Sequence, residues 1–416
     1  MYDSWIGSLP ASYAFIDEYD AAWAPPPSCA LLISAQHYRA LEYDILKRAV
    51  EAEIPTLVIA DGILEYRNTW ENPELAAGCM FQPLIGHKIA CLGRSQARIL
   101  ESWGNLGKCE VVGAPRLDPF IGKKQPLRRT GERLRLLVMT ARKPGFTAEQ
   151  IALTTRSLRD LKFWLSRNPR IHGRDVEVVW RLTGDLAKHL DVENQLTDFQ
   201  GKDLMGILSE VDAAITAPST AMLEVMICGL PVAILDYHNN PLFVPAAWQI
   251  TAPRHFDHVI PELFDPPAPK MLYQETILHD ALECRSPAEP RMVHLITEMI
   301  RNAESCAQRK EKLRFPIRIM EDEQDNHHLP EESFDLSKLY PHHAIFAEQD
   351  RVKLQVYINQ LESELKRLKT SLHSRRVWRN VLRYLPGPNK LKRYWRELRG
   401  QGQTNFDNTN VPRTPC

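Results

Sequence analysis

The chain has 416 residues, enough for two or three domains that each bury a core of their own. Its composition, 44% hydrophobic and 25% charged, is ordinary for a globular protein. The 52 basic residues balance the 52 acidic ones, which excludes a global electrostatic attraction to nucleic acid or to membranes. The eight cysteines include no Cys-x-x-Cys pair, so zinc ribbons and thioredoxin-like redox sites are unsupported and a reducing cytoplasm is expected.

The N-terminal residues, MYDSWIGSLPASYAF, lack both a basic start and a long apolar run, so no secretion signal is expected there. No uninterrupted apolar stretch approaches the ~18 residues that a membrane-spanning helix needs. If the protein meets a membrane, we expect it to do so from the surface.

From residue 29 onward, apolar runs that predict buried strands alternate with patterns that predict amphipathic helices. The predicted strands are 29–35, 56–62, 88–93 and 109–115, and the predicted helices are 38–53 and 95–104. Strands that are apolar throughout and separated by helices indicate a parallel sheet covered on both faces.

A polar, basic stretch at 121–133 with Gly and Pro predicts an interdomain linker, after which the alternation restarts. The second set of predicted strands is 135–141, 176–182, 212–217 and 231–236, and the helices are 148–167, 202–211 and 219–229. A helical, Pro-interrupted region then continues to about 314. The fold class is therefore α/β, with two tandem Rossmann-like doubly wound domains at 1–125 and 126–315.

Three further segments follow. Residues 316–343 are aperiodic, with seven acids and no Lys or Arg between 321 and 335, which predicts a linker. An apolar seam with steps of four and three predicts a coiled coil over 344–373 that makes the protein a homo-oligomer, a lone docked helix being the alternative. The seam consists of Leu354, Ile358, Leu361, Leu365, Leu368 and Leu372. Residues 400–416 are polar and expected to be disordered.

The tail at 374–399 carries seven Arg and two Lys together with aromatic residues such as Trp378, Tyr384 and Trp395. A basic amphipathic segment of this kind favours an anionic membrane surface, at about 1 kcal/mol per basic group. We therefore expect a cytoplasmic protein that is peripheral on the inner face of the cell membrane. Nucleic acid is the alternative partner, but no recognition module for it precedes the tail.

The run 212–241, DAAITAPSTAMLEVMICGLPVAILDYHNNP, combines a buried strand with polar residues at its carboxyl end. Ser219 and Thr220 open the next helix, where free N–H groups favour a phosphate. Glu224 lies one turn deeper and could accept hydrogen bonds from ribose hydroxyls. Open α/β sheets bind ligands beyond the carboxyl ends of their strands, which favours a binding site over simple helix capping.

Residues 211–241 resemble the donor-binding segment of GT-B glycosyltransferases and of the related non-hydrolysing sugar-nucleotide 2-epimerases. Residues 93–118, which end in VVGAPRLD, are similar to the end of the N-terminal domain in this superfamily, especially in cell-surface polysaccharide and polyol-phosphate transferases. The resemblance covers about residues 30 to 310. It implies a nucleotide-sugar co-substrate, no cofactor, and a glycan or lipid-linked acceptor.

The chain departs from the epimerases at two places. They carry His-Arg-Arg-Glu-Asn after the first strand of the second domain, where this chain has TARKP at 140–144, and their hydroxyl cluster is Gly-rich where this one is Pro218-Ser219-Thr220. Arg142, or its neighbour Lys143, lies at a strand end and could neutralise a diphosphate leaving group, although a solvated loop charge is the alternative.

In the first domain, His37 and Asp61 each follow a predicted strand, and either could be the general base that deprotonates an acceptor hydroxyl. Both residues also fit structural roles, since a lone His is often structural and an Asp-Gly pair such as Asp61-Gly62 is typical of a tight turn. Glu65 and Arg67 in the same loop could position the acceptor.

Arg116 and Asp118 occupy the presumed hinge, where they could contact the donor or pair with each other. No GxGxxG, GxxxxGK[ST], HExxH or Asp-Xaa-Asp motif lies at a suitable position, so dehydrogenase, P-loop and zincin activities are unsupported and no metal is expected.

The sequence therefore predicts a metal-independent glycosyltransferase that moves a sugar from a nucleotide-activated donor to a cell-surface polysaccharide or lipid-linked acceptor. A polyol-phosphate (CDP-glycerol-type) transferase and a sugar-nucleotide 2-epimerase are alternatives within enzymes. A catalytically inactive GT-B-like scaffold that acts through its coiled coil and tail is an alternative of another class.

Overall fold

The computed structural model describes residues 3–9, 11–16, 19–35, 38–75, 80–124, 133–141, 143–182, 185–195, 203–320, 355–364 and 366. Residues 1–339 form one unit and 340–416 another.

The first sheet has four parallel strands in the order β1-β2-β3-β4. Their bounds are β1 Leu32–Ser34, β2 Thr56–Ile59, β3 Lys88–Cys91 and β4 Cys109–Val111. Every residue of β2 and β3 is buried, as expected for central strands covered on both faces.

The second sheet has six strands in the order β10-β9-β8-β5-β7-β6, all parallel except the short edge strand β6, which pairs antiparallel with β7. Their bounds are β5 Arg133–Met139, β6 Arg170–Ile171, β7 Arg174–Arg181, β8 Ala213–Thr216, β9 Val232–Leu235 and β10 Trp248–Ile250. The predicted α/β class with two tandem parallel sheets is confirmed.

The α-helices of residues 1–339 are α1 Asp3–Ile6, α2 Ala40–Glu51, α3 Arg94–Leu100, α4 Ala148–Arg167, α5 Leu186–His189, α6 Leu204–Leu208, α7 Ala221–Ile227, α8 Phe256–Phe264, α9 Ala268–Ala281 and α10 Ala288–Gln308. The longest helix of the second sheet, α4, begins where the Thr147 hydroxyl accepts a hydrogen bond from the Gln150 N–H, as a helix N-cap does. We call the part of the chain up to 124 the first lobe and residues 133–281 the second lobe.

Helix α10 follows the second lobe in sequence but packs on the sheet of the first. Its Met292, Leu295 and Met299 are fully buried against a core that includes Leu57 and Val112 of the first lobe. Asp118 holds the start of this helix, because its carboxylate accepts hydrogen bonds from the first N–H groups of α10 at 2.7 and 3.0 Å. The chain therefore crosses between the lobes twice, before β5 and before α10.

The backbones of the two lobes approach closely where α3 begins. A Cβ atom added to Gly93 would lie 2.4 Å from the carbonyl carbon of Ala281, at the end of α9. Nearby, the Arg98 guanidinium forms two hydrogen bonds with the Asp280 carboxylate, at 2.9 and 2.7 Å. Only a residue without a side chain fits at position 93.

A buried ion pair fixes residues 316–320 against the first sheet. The Lys88 ammonium lies 2.6 Å from the Glu110 carboxylate, and both side chains are almost completely buried. Lys88 also donates to the Pro316 carbonyl at 2.7 Å, while Glu110 accepts from the Ile319 N–H at 3.0 Å. The start of the predicted 316–343 linker is therefore attached to this sheet, and residues 321–343 lie outside the described residues.

His87, next to this ion pair, is held neutral. Its Nδ1 accepts a hydrogen bond from the Thr56 N–H at 3.2 Å, and its ring meets that of Phe315 edge-on at 5.4 Å. Burial, reinforced by the positive charge of Lys108, lowers the pKa of His87 from 6.5 to about 4.

This lowered pKa predicts a pH dependence of stability. Between about pH 6.5 and pH 4, His87 is protonated in the unfolded chain but neutral in the folded chain. The stability that neutral His87 contributes is therefore complete above pH 6.5 and declines as the pH falls from 6.5 to 4. In His87→Asn, the amide oxygen still accepts from the Thr56 N–H but cannot titrate. Urea midpoints should show the wild type losing stability relative to His87→Asn as the pH falls from 6.5 to 4. A difference independent of pH would contradict this prediction.

In the second unit, residues 355–364 are helical, and Ile358 and Leu361 of the predicted seam are exposed. Leu354, Leu365, Leu368 and Leu372 lie outside the described residues, so the coiled coil stays a prediction. The tail at 374–399 and residues 400–416 are outside them as well. No helix among the described residues is long and apolar enough to cross a membrane.

Candidate functional site

The carboxyl ends of strands from both sheets meet between the lobes. The loop after β2, which begins at Asp61, contacts the turn after β8, which contains Ser219 and Thr220. The Thr220 hydroxyl accepts a hydrogen bond from the Ile63 N–H at 3.0 Å. A Cβ added to Gly62 would lie 2.3 Å from the same oxygen. The turn that the sequence predicts as a phosphate site thus faces the other lobe and, in this structure, is covered by it.

Helix α7, which follows this turn, begins at Ala221 and has seven residues. The Ser219 hydroxyl accepts from the Ala221 N–H at 3.3 Å. Both hydroxyl oxygens of the predicted phosphate site therefore already accept backbone hydrogen bonds, and a ligand at this turn would have to displace the first-lobe loop.

Arg116 joins the two lobes through Glu224. Its Nη1 lies 3.2 Å from the Glu224 carboxylate, and its Nη2 donates to the Asp61 carbonyl at 3.2 Å. Burial raises the pKa of Glu224, against the opposing charges of Arg116 and Arg181. The sequence left open whether Arg116 pairs with Asp118, and the structure gives them separate partners: Arg116 contacts Glu224, and Asp118 caps α10.

A second set of charged residues near the lobe boundary contains Arg67, which is 5% exposed. Its Nε lies 2.5 Å from the Glu65 carboxylate. Asp236, the residue directly after β9, accepts from the His238 N–H at 3.2 Å. Burial raises the pKa of Asp236, while the positive charges of Arg67 and His238 act in the opposite direction. Glu65 and Arg67 pair with each other as well as facing the second lobe.

An aromatic cluster packs beside this contact. Phe243 of the second lobe lies 5.6 Å from both Trp70 and Trp103 of the first lobe, measured between ring centroids. Such pairs add about 0.5–1.5 kcal/mol each beyond their burial, which favours the closed arrangement of the lobes.

The remaining predicted site residues are His37, Arg142 and Asp61. His37 and Arg142 lie outside the described residues. Asp61 contributes its carbonyl to Arg116 while its side chain is exposed. Lys143, named beside Arg142, pairs with Glu74 at 2.8 Å.

Three residues near the charged contacts between the lobes were not predicted from the sequence: Arg181, Asp236 and His238. Arg181 ends β7, and Asp236 directly follows β9, so the rule that polar residues after apolar strands form sites could have found both. His238 has no such signal. Among the described residues, its Nε2 is shielded from solvent and has no hydrogen-bond partner.

The charged cluster between the lobes thus consists of three guanidinium groups and three carboxylates. The guanidinium groups are those of Arg67, Arg116 and Arg181, and the carboxylates are those of Glu65, Glu224 and Asp236. Guanidinium groups bind phosphate oxygens, and buried carboxylates accept hydrogen bonds from hydroxyl groups. No group of three side chains suited to holding a metal ion occurs in the described part of the chain.

No family model and no curated protein sequence matches this chain. Among solved structures it is similar to the S. aureus MnaA–UDP complex, with 13% identity, a TM-score of 0.43, and coverage of 65% of this chain and 74% of that chain. It is similar to the wall teichoic acid polymerase TagF with CDPG, with 14% identity, a TM-score of 0.44, and coverage of 65% and 72%. It is also similar to a protein described as a UDP-N-acetylglucosamine 2-epimerase from Listeria monocytogenes, with 11% identity, a TM-score of 0.43, and coverage of 64% and 72%.

At this level of identity, likeness concerns the fold alone, and the substrate has to be argued from the site. With two tandem parallel sheets whose carboxyl ends meet between the lobes, the chain has the GT-B-like, Rossmann-like architecture that its motifs resemble.

Proposed function

We propose that this protein is a glycosyltransferase that moves a sugar from a nucleotide-activated donor to a glycan or lipid-linked acceptor. One observation carries the proposal: buried charged residues from both lobes converge at the carboxyl ends of β2, β8 and β9, with Arg116 and Glu224 in contact at their centre. Ligands of open α/β sheets bind at this edge.

The donor would lie against the second lobe. In this arrangement Glu224 accepts hydrogen bonds from the ribose hydroxyls, while Arg116 and Arg181 neutralise the diphosphate on which negative charge builds up as the sugar leaves. The acceptor would lie against the first lobe, where the exposed carboxylate of Asp61, or His37, takes the proton of the attacking hydroxyl.

Donor binding requires the lobes to separate locally, because the Thr220 oxygen accepts from the Ile63 N–H and Arg116 contacts Glu224. Arg116 would then exchange the Glu224 carboxylate for the donor diphosphate. Such exchange between a closed and an open form is the usual behaviour of enzymes whose site lies between two lobes.

Nucleotide binding tests the proposal. We expect UDP, CDP or GDP to raise the thermal midpoint of the wild type, since binding to the folded state stabilises it. Glu224→Gln should bind about tenfold more weakly, because an amide is a weaker acceptor than a carboxylate. The matched control is Asp280→Asn, which also removes a carboxylate that pairs with an arginine across the lobes but lies outside the cluster. Calorimetric titration gives the affinities, and equal affinities of Glu224→Gln and the wild type would contradict the role of Glu224.

The products of the reaction distinguish a glycosyltransferase from a polyol-phosphate transferase and from a 2-epimerase. A glycosyltransferase consumes a nucleotide sugar only when an acceptor is present, whereas a polyol-phosphate transferase consumes CDP-glycerol and leaves glycerol phosphate on the acceptor. A 2-epimerase converts the nucleotide sugar without any acceptor. Mass spectrometry of the acceptor separates the two transferases, and proton NMR of the nucleotide sugar detects epimerisation, since an epimer has the same mass as its substrate.

The same closed contacts favour a second candidate, an inactive scaffold of this fold. Thr220 and Glu224 already contact residues of the first lobe. A protein that binds no donor would keep these contacts permanently. A folded wild type that binds none of the nucleotides would support the scaffold and exclude the transferase.

A further inference from the structure

A cavity of about 960 Å³ opens at the β4 edge of the first sheet, away from the charged cluster between the lobes. Helices α3 and α10 form two of its walls, and residues near Glu283 and Ile319 complete it. None of Asp61, Thr220 and Glu224 lines it. Its volume lies at the upper end of the ~300–1,000 Å³ that small-molecule sites span.

The walls of this cavity carry more positive than negative charge. The arginines that line it are Arg94, Arg98, Arg285, Arg291, Arg301 and Arg318, and the acids are Glu101, Glu110, Glu283 and Glu298. The arginines therefore outnumber the acids by two, and they come from α3, α10, the loop that contains Arg285 and the segment that contains Arg318. Arg98 is paired with Asp280, which does not line the cavity.

Three of the four acids are paired with cations, two of them with arginines of the cavity itself. Glu110 pairs with Lys88, which is buried behind the wall, and Glu298 pairs with Arg301 at 2.5 Å. Glu283 is shared, lying 2.7 Å from Arg285 and 4.0 Å from Arg94. One carboxylate thus serves two guanidinium groups.

Arg291 is a partly buried arginine of the cavity wall whose guanidinium group is held by backbone carbonyls. It donates to the carbonyls of Val112 and Glu283, at 2.8 and 3.0 Å. Burial lowers its pKa, and the like charge of Arg285 acts in the same direction, against the opposing effect of Glu283 and Asp118. A negative charge entering the cavity would stabilise this group.

We infer that this cavity binds a small anionic ligand that carries phosphate groups. The planar fork of a guanidinium group matches the oxygens of a phosphate, and arginines on facing walls can contact two phosphates or both sides of one. His294, Asn302 and Ser305 of α10 also line the cavity and offer polar groups to the remainder of such a ligand. This site is independent of the proposed transferase activity.

Inorganic pyrophosphate is the probe for the test, titrated calorimetrically into the full chain. We expect saturable binding with a millimolar or lower dissociation constant, weakened about tenfold in Arg94→Gln/Arg301→Gln, which removes one charge from each helical wall. Arg301→Gln alone changes an exposed side chain and keeps the test valid should the double variant fold poorly. The matched control is Arg170→Gln, an equally exposed arginine paired with Asp175 in the second lobe.

Glu224→Gln separates this site from the one between the lobes. It should leave the cavity's affinity for pyrophosphate unchanged. If Glu224→Gln alters pyrophosphate binding and the arginine variants do not, the probe occupies the interlobe site and the inference is wrong. Absence of saturable binding to the wild type, or binding unaffected by the arginine variants, also overturns it.

A second arm identifies the source of the phosphate. Flotation with phosphatidylglycerol vesicles compares the wild type with the same variants. Weaker flotation of the arginine variants places the phosphate on a lipid headgroup. Unchanged flotation together with weaker pyrophosphate binding places it on a soluble ligand.

Discussion

Replacing Lys88 by Met is expected to lower the free energy of unfolding by about 3–5 kcal/mol, the largest effect of any single change considered. The substitution leaves the Glu110 carboxylate buried without its cation, and the carbonyls of Gly107, Pro316 and Ile317 lose their shared donor. Equilibrium unfolding in urea measures the loss, as a lower midpoint at an unchanged slope.

The control for Lys88→Met is Arg98→Met, which breaks an exposed ion pair with Asp280 and should cost less than about 1 kcal/mol. In Lys88→Met/Glu110→Gln no buried charge is left uncompensated, so part of the stability should return. Equal losses in Lys88→Met and Arg98→Met would show that the buried pair does not hold residues 316–320 in place.

Replacing Gly93 by Ala is expected to cost about 3 kcal/mol, the upper end of what overpacking usually costs. The added Cβ would lie 2.4–2.6 Å from backbone atoms of Ala281 and Leu282, which cannot rotate away as a side chain could. The end of α9 must move from α3, and the two hydrogen bonds between Arg98 and Asp280 would be disturbed with it.

Gly7→Ala is the matched control for Gly93→Ala, because nothing lies within 4 Å of a Cβ added at Gly7. It should change stability by less than about 0.5 kcal/mol. Urea unfolding of both variants is the measurement. A Gly93→Ala protein as stable as Gly7→Ala would mean that the lobes are not packed as closely as the structure shows.

Most strands and helices could be predicted because their signal is local. The helix predicted over 148–167 is observed as Ala148–Arg167, and the apolar runs at 56–62 and 231–236 contain the buried strands Thr56–Ile59 and Val232–Leu235. The predicted strands are longer than the observed ones, because an apolar run continues into the turn after a strand while the hydrogen bonds to the neighbouring strand do not.

The two strands that were missed are short. Trp248–Ile250 lies in a region predicted as helical, and its three residues are too few to show a period. Arg170–Ile171 belongs to a hairpin whose turn, His172-Gly173, has positive φ at both residues. A Gly in that position was a signal that could have been used.

The site was predictable only in part, because its partners come from different lobes. Polar residues after apolar strands pointed to Asp61, Ser219 and Thr220, and the helical spacing from Thr220 pointed to Glu224. That Arg116 contacts Glu224, and that Thr220 meets Ile63, depends on how two sheets dock, which no local pattern encodes. The same applies to α10, whose apolar face is evident in the sequence but whose docking on the first sheet is not.

The position of α10 has a consequence for synthesis on the ribosome. One face of the first sheet is covered only in part, by Trp5 of α1, until residues 288–308 have emerged with Met292, Leu295, Ile296 and Met299. The intervening chain of the second lobe is complete before then. The N-terminal half of the nascent protein therefore waits with exposed apolar surface on this face, and the core there is completed only when α10 has left the exit tunnel.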